Sequence, residues 1–135
     1  MDIFYSKFNC LAGTSYKEIK GQVNSLFIVL KKNTKRRPYL RSAYFGKEKI
    51  FFDYFWAHLA SKNFTDRTRR MKFFPAAVDL IKNNRIKPSF IEVNNSSEVY
   101  YRFFGATKDH VLFCVQVKEN KKTGQKFFMS CFPQN

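Results

Sequence analysis

Apolar and polar residues alternate with a period of two through three successive stretches near the C-terminus, residues 98–106, 110–118 and 125–132, which predicts three β-strands. In the first, Val99, Tyr101 and Phe103 alternate with Tyr100, Arg102 and Phe104. In the second, Val111, Phe113, Val115 and Val117 alternate with Leu112, Cys114, Gln116 and Lys118. The third places Phe127, Met129 and Cys131 on the apolar side and Lys126, Phe128, Ser130 and Phe132 on the other. The linking segments 107–109 and 120–124 are short and rich in turn-forming residues, which predicts antiparallel hairpins. Centring both loops sets Arg102, Cys114 and Ser130 in one row and Tyr100, Gln116 and Phe128 in the next, with Lys118 beyond. A slip by one residue would turn this whole set into the core.

Upstream the period changes. Ser15 and Glu18 form a capping-box pattern, followed by Ile19, Val23, Leu26, Phe27 and Leu30 at helical spacing, so residues 16–31 are expected to be a helix, with the run Leu26 to Leu30 equally able to form a strand. The stretch 46–62 carries Ile50, Phe51, Phe55, Trp56, Leu59 and Ala60 as a broad apolar stripe and is expected to be a second helix. Thr65 and Asp66 can cap a short helix bearing Arg67, Arg69 and Arg70, and Pro75 opens another that stops at Asn83 and Asn84. Residues 86–93 read as a further strand delayed by Pro88, while residues 1–11 fit a short strand or an ordered arm. The expected fold class is therefore α+β, with N-terminal helices packed on one face of an approximately four-stranded antiparallel sheet.

Length, charge and cysteine usage narrow the class. At 135 residues the chain reads as one domain, residues 1–135, with a core of its own. Lys and Arg number 25 against 10 Asp and Glu, a net charge of +15, which favours a polyanionic partner and nucleic acid first among them. The cations concentrate in residues 31–41, including Lys35, Arg36 and Arg37 around Pro38, expected as a loop that contacts phosphate or is simply solvated. They concentrate again at Arg67, Arg69 and Arg70, read either as an anion site at a helix start or as ion pairs to scattered acids such as Asp53, Asp66 or Asp79. Cys10, Cys114 and Cys131 have neither disulfide-framework nor zinc spacing. No apolar run approaches a membrane span and the start lacks signal-peptide order, so a cytoplasmic protein without membrane association is expected.

The acids are scattered singly, without the paired carboxylates or histidines of a metal-dependent nuclease, and no cofactor motif is present. Cations, hydroxyls and an imidazole remain, an inventory that suits RNA cleavage because the RNA supplies its own 2′-hydroxyl nucleophile. Arg102 and Lys118 are the candidates for stabilising phosphorane charge, Ser130 for holding a nonbridging oxygen, and His58 for moving a proton. Tyr100, Phe104 and Phe128 are candidate stacking residues, with Gln116 among them on the same face. Against this stands the plainer reading of a covered sheet face and a structural histidine.

Several motifs occur in a telling order: Phe52-x-x-Phe55-Trp56-x-His58, Asp66-Arg67-x-Arg69-Arg70, the Pro75 helix, Tyr101-Arg102-Phe103-x-Gly105, Val115-Gln116-Val117-Lys118-Glu119, and Phe127-Phe128-Met129-Ser130-x-Phe132-Pro133. Over residues 38–133 this order resembles the phage-associated branch of the superfamily that contains barnase, EndoU, the colicin-type tRNases and RelE; residues 1–37 lie outside the likeness. The resemblance implies a metal-independent ribonuclease of the toxin, phage or mobile-element effector kind, restrained by a partner such as an acidic antitoxin or inhibitor protein. It would carry function to His58, the arginines after Asp66, Arg102, Lys118 and Ser130. The competing readings are a noncatalytic nucleic-acid binder, and a regulator or inhibitor that docks on a host nucleoprotein or an acidic protein.

Overall fold

The computed structural model describes residues 2–134. A two-residue strand β1 (Phe4–Tyr5) leads to helix α1 (Tyr16–Thr34). Ser15 caps the helix, as the sequence predicts, its Oγ accepting from the Glu18 amide at 3.2 Å; the Glu18 carboxylate reaches one residue further back and accepts from the Thr14 amide at 3.1 Å. The helix buries Ile19 and Val23 and runs on to Thr34, so Lys31 and Lys32 sit in its last turn, at the negative end of its dipole.

The cationic stretch 31–41, expected as a loop, is therefore the end of α1, a short connection and strand β2 (Tyr39–Ser42). The helix expected over 46–62 is likewise strand β3 (Glu48–Phe51), a turn and the short helix α2 (Phe55–Ala60). Each of the two short strands has one apolar residue fully packed in the core, Leu40 and Ile50, too few for a period of two to show. The cluster Phe51, Phe52, Phe55 and Trp56 then mimics a helical stripe. Helix α3 (Phe64–Met71) is capped by Asn63, whose side-chain oxygen accepts from the Asp66 amide at 2.8 Å; Thr65 lies inside the helix. Helix α4 (Phe74–Asn83) carries Pro75 in its first turn.

Strands β4 (Phe90–Asn94), β5 (Glu98–Ala106), β6 (Leu112–Asn120) and β7 (Lys126–Pro133) complete the chain. Among the described residues, seven strands form one mixed sheet in the order β1-β5-β6-β7-β3-β2, with β4 also paired to β5. This overturns the expected four-stranded antiparallel sheet: the sheet is larger, mixed, and curled into a half-barrel. Two parallel pairings enlarge it, β3 with β7 and β1 with β5. β4 and β1 share the outer edge of β5 end to end, β4 against residues 98–102 and β1 against Gly105 and Ala106.

The core lies between the helices and one sheet face. Ile19, Val23, Phe55, Leu59, Met71, Phe74 and Leu80 from the helices meet Phe103, Phe113, Val115, Val117, Phe128 and Cys131 from the sheet. The N-terminal arm is tied in through the buried Asp79 carboxylate, which accepts from Ser6 Oγ at 2.8 Å, the Lys7 amide at 3.1 Å and Asn83 Nδ2 at 2.7 Å. Three donors satisfy a buried charge that would otherwise be costly.

Candidate nucleic-acid interface

The opposite face of β5, β6 and β7 carries the candidate chemistry. Antiparallel partners project to the same side of a sheet, and the pairs Phe90↔Arg102, Arg102↔Gln116 and Gln116↔Ser130 make one row across four strands. Arg102 thus faces Gln116 rather than the expected Cys114, because the first hairpin centres on Asp109, with His110 in the left-handed region at φ 65°. That two-residue shift leaves parity intact, so Tyr100, Arg102, Gln116, Lys118 and Ser130 still share a face. Tyr100 lies opposite Lys118 in the adjacent row.

Strand β7 departs from the expected pattern in a way that matters. Gln116 pairs with Ser130 but Val117 pairs with Phe128, so Met129 is the extra residue of a β-bulge. Upstream of the bulge the two sides exchange. Phe128 is fully buried against Phe55, ring centroids 4.5 Å apart, and is removed from the candidate RNA-stacking set. Phe127 turns to the other face, where it is buried with its ring 4.8 Å from that of Tyr54. Lys126 turns to the core side, where it is almost buried and paired with Glu48 at 2.8 Å.

On the row itself, Arg102 Nη2 donates to Gln116 Oε1 at 3.2 Å, and its guanidinium lies 5.3 Å from the Phe90 ring and 5.6 Å from the Phe132 ring. Arg102 Nε is buried and has no hydrogen-bond acceptor among the described residues. Ser130 is 6 % exposed at the centre of the face. Lys118 is paired with Glu98 at 2.7 Å and lies 4.9 Å from the Tyr54 ring. Its hydrogen bond to Glu98 raises its pKa, which keeps the ammonium charged and makes it a poor proton donor.

Helices α2 and α3 pack beside β7, where β3 pairs only with Lys126 and Phe127 and leaves the rest of that edge open. Arg70 reaches the open face from there: its guanidinium lies 5.3 Å from the Phe132 ring, so Phe132 is flanked by Arg70 and Arg102. His58 on α2 is half-buried, and its pKa is lowered by burial first and then by the positive charges of Lys62 and Arg70. That shift favours the neutral imidazole near pH 7, and the charges it feels are those of Lys62 and Arg70.

Other candidates have structural partners. Arg37 is not a free loop cation: it makes a bidentate pair with Asp53, at 3.1 and 2.8 Å, and stacks 3.6 Å over Phe51. Lys35 and Arg36 remain exposed. Arg67 donates to the Lys62 and Ala60 carbonyls at 2.8 and 3.0 Å and lies over Phe64, which makes it a latch between α2 and α3. Arg69 and Arg70 both pair with Asp66, at 2.9 and 3.1 Å, and occupy the last turn of α3. Arg69 and Arg70 therefore do not oppose the helix dipole, and of the two readings the ion pairs to Asp66 are the one seen for them, while Arg67, nearer the helix start, is held by backbone carbonyls.

Sequence reasoning missed Tyr54 and Phe90 as parts of this face, and placed Phe132 on it without giving it a role. The parity of Phe132 already signalled its side, whereas Tyr54 was hidden in an expected helix and Phe90 in a strand whose register had no anchor. Cys114 and Cys131 lie on opposite faces, and burial pushes their thiols up to about 11 and about 12, so neither is a nucleophile at neutral pH. Among the described residues, no group of three or more His, Cys, Asp or Glu side chains is placed to hold a metal ion. Compared with known protein families, curated proteins and solved structures, the chain matches none.

Proposed function

We propose that this protein is a metal-independent endoribonuclease that cleaves by 2′-hydroxyl transesterification on the open face of β5–β7. The observation that carries the reading is the row Phe90, Arg102, Gln116, Ser130, in which a guanidinium with an unsatisfied buried nitrogen stands near two aromatic rings, with a hydroxyl two strands along on the far side of Gln116. A phosphate on that row would accept from Arg102 and Ser130, and neighbouring bases would stack on Tyr100, Phe90 or Phe132. His58, whose lowered pKa favours the neutral ring, would remove the 2′-proton. Arg102 and Lys118 would stabilise the charge that grows on the phosphorane oxygens, and the leaving 5′-oxygen would take its proton from solvent.

The scattered acids and the motif order described above support the same reading, and with it a toxin or phage-effector role held in check by an acidic inhibitor protein. No helix among the described residues is long and apolar enough to cross a membrane, which fits the cytoplasmic setting that such a role requires. One observation favours the second reading, a noncatalytic binder: Arg70 and Lys118 already have acidic partners, as cations that only shape a binding surface would. Incubating the purified protein with total RNA and with single-stranded DNA, each with EDTA, separates the two. The nuclease reading expects RNA fragments and intact DNA; salt-dependent binding without fragments would leave the binder.

A further inference from the structure

The aromatic and basic face does not stop at β7. β3 pairs with β7 through Phe51↔Phe127, and β2 pairs with β3 through Tyr39↔Phe51 and Arg41↔Lys49, so Tyr39, Arg41, Lys49 and Phe51 continue the side that carries Phe127, Ser130 and Arg102. Both cations lean on the tyrosine: Lys49 Nζ is 4.6 Å and the Arg41 guanidinium 5.5 Å from the Tyr39 ring. Beyond the free edge of β2, a groove against the end of α4 is lined by Tyr39, Arg41, Lys47, Lys82 and Arg85, with no acid in its wall. No acid pairs with Arg41, Lys47, Lys49, Lys82 or Arg85 among the described residues; Glu48, the acid of this hairpin, is taken by Lys126. Five like charges held together without counter-charge are self-repelling, and a polyanion laid along them would relieve that repulsion.

We propose that the β2–β3 hairpin is a second nucleic-acid contact, which holds the flanking part of a single-stranded RNA whose central phosphate lies on the Arg102 row. The inference rests on the functional reading above. Four strand spacings separate β5 from β2, roughly 19 Å at about 4.8 Å each, so the hairpin grips nucleotides away from the reacting one. Tyr39 offers a stacking surface that tolerates any base, while Arg41, Lys49 and the groove cations meet phosphates. The hairpin therefore adds affinity and length dependence without touching the reacting atoms.

The test is fluorescence anisotropy of the full chain with a labelled, 2′-O-methylated 16-nucleotide RNA, across a series of NaCl concentrations. Arg41→Gln/Lys49→Gln is compared with Lys17→Gln/Lys20→Gln, which removes the same charge from exposed positions on α1; melting temperatures confirm that both fold. The hairpin variant is expected to bind about tenfold more weakly, with a log-log salt slope lower by about 1.4, at roughly 0.7 per lost single-strand phosphate contact. The α1 variant should change little. Equal losses in both variants, or none in the hairpin variant while wild type binds, would overturn the inference and leave the Arg102 site standing. Absence of RNA binding by wild type would overturn both.

Discussion

At the scale of single residues, Arg102 and His58 are the side chains on which the proposed chemistry depends. Arg102 is held by Gln116 and by two aromatic rings, which fixes the guanidinium in place before any ligand arrives. Arg102→Ala should lower RNA turnover by roughly 10²–10³-fold with the fold intact, and Arg102→Lys should restore little, because a lysine cannot reproduce the planar fork. Steady-state cleavage of a short oligonucleotide by the two variants checks this; full activity in Arg102→Ala would remove the residue from the site. His58→Ala should cost about a hundredfold. Because burial and neighbouring cations depress its pKa below the ordinary 6.5, kcat/KM should rise through an inflection below that value and be flat by pH 7. The same depression links His58 to stability. The unfolded imidazole binds its proton first, so the contribution is whole above about 6.5 and is lost as pH falls through the lower folded value. Thermal melts at pH 7.5 and pH 5 should show a larger drop for wild type than for His58→Gln.

At the scale of elements, the bulge at Met129 decides what the last strand presents. It sends Phe128 into the aromatic cluster with Phe52, Phe55 and Phe74 and turns Phe127 to the other face, where it is buried under Tyr54. Phe128→Ala should therefore cost about 3–5 kcal/mol of stability in urea denaturation, while the protein that stays folded keeps its RNA affinity. A variant that is stable but weak in RNA binding would return Phe128 to the open face. The bulge also shows where sequence reasoning stops. Long strands with strict alternation, such as Val99 to Phe104 and Phe113 to Lys118, reveal their faces because every position votes. A single inserted residue reverses everything on one side of it, and nothing in the identity of Met129 announces this. The cap of α1 and the start of α4 were legible because Ser15, Glu18 and Pro75 act on their immediate neighbours. β2 and β3 were not, since pairing that spans most of the chain, Phe51 with Phe127, defines them. The arginines after Asp66 were visible as a cluster, but which acid would neutralise them depended on where α3 begins.

At the scale of the whole molecule, a net charge of +15 ensures attraction to any polyanion, so binding alone is weak support for a site. What distinguishes a site is the unequal effect of equal charge removal. Neutralising the exposed Lys35 and Arg36 should lower the salt slope of RNA binding by about 1.4 if both reach phosphate. Arg37→Gln should instead loosen its contacts with Asp53 and Phe51 and act on stability. Affinity titrations at several salt concentrations, read beside melting temperatures, separate these effects. The proposed function demands more than attraction: the face of β5–β7 that carries Arg102 would have to perform chemistry. Its most direct measurement is a time course of total RNA incubated in EDTA with wild-type protein and with Arg102→Ala, both purified free of any inhibitor protein. Fragments ending in 2′,3′-cyclic phosphate are expected from wild type and almost none from the variant. Intact RNA with wild type, with or without added divalent ions, or equal cleavage by the two proteins, would contradict the proposed function.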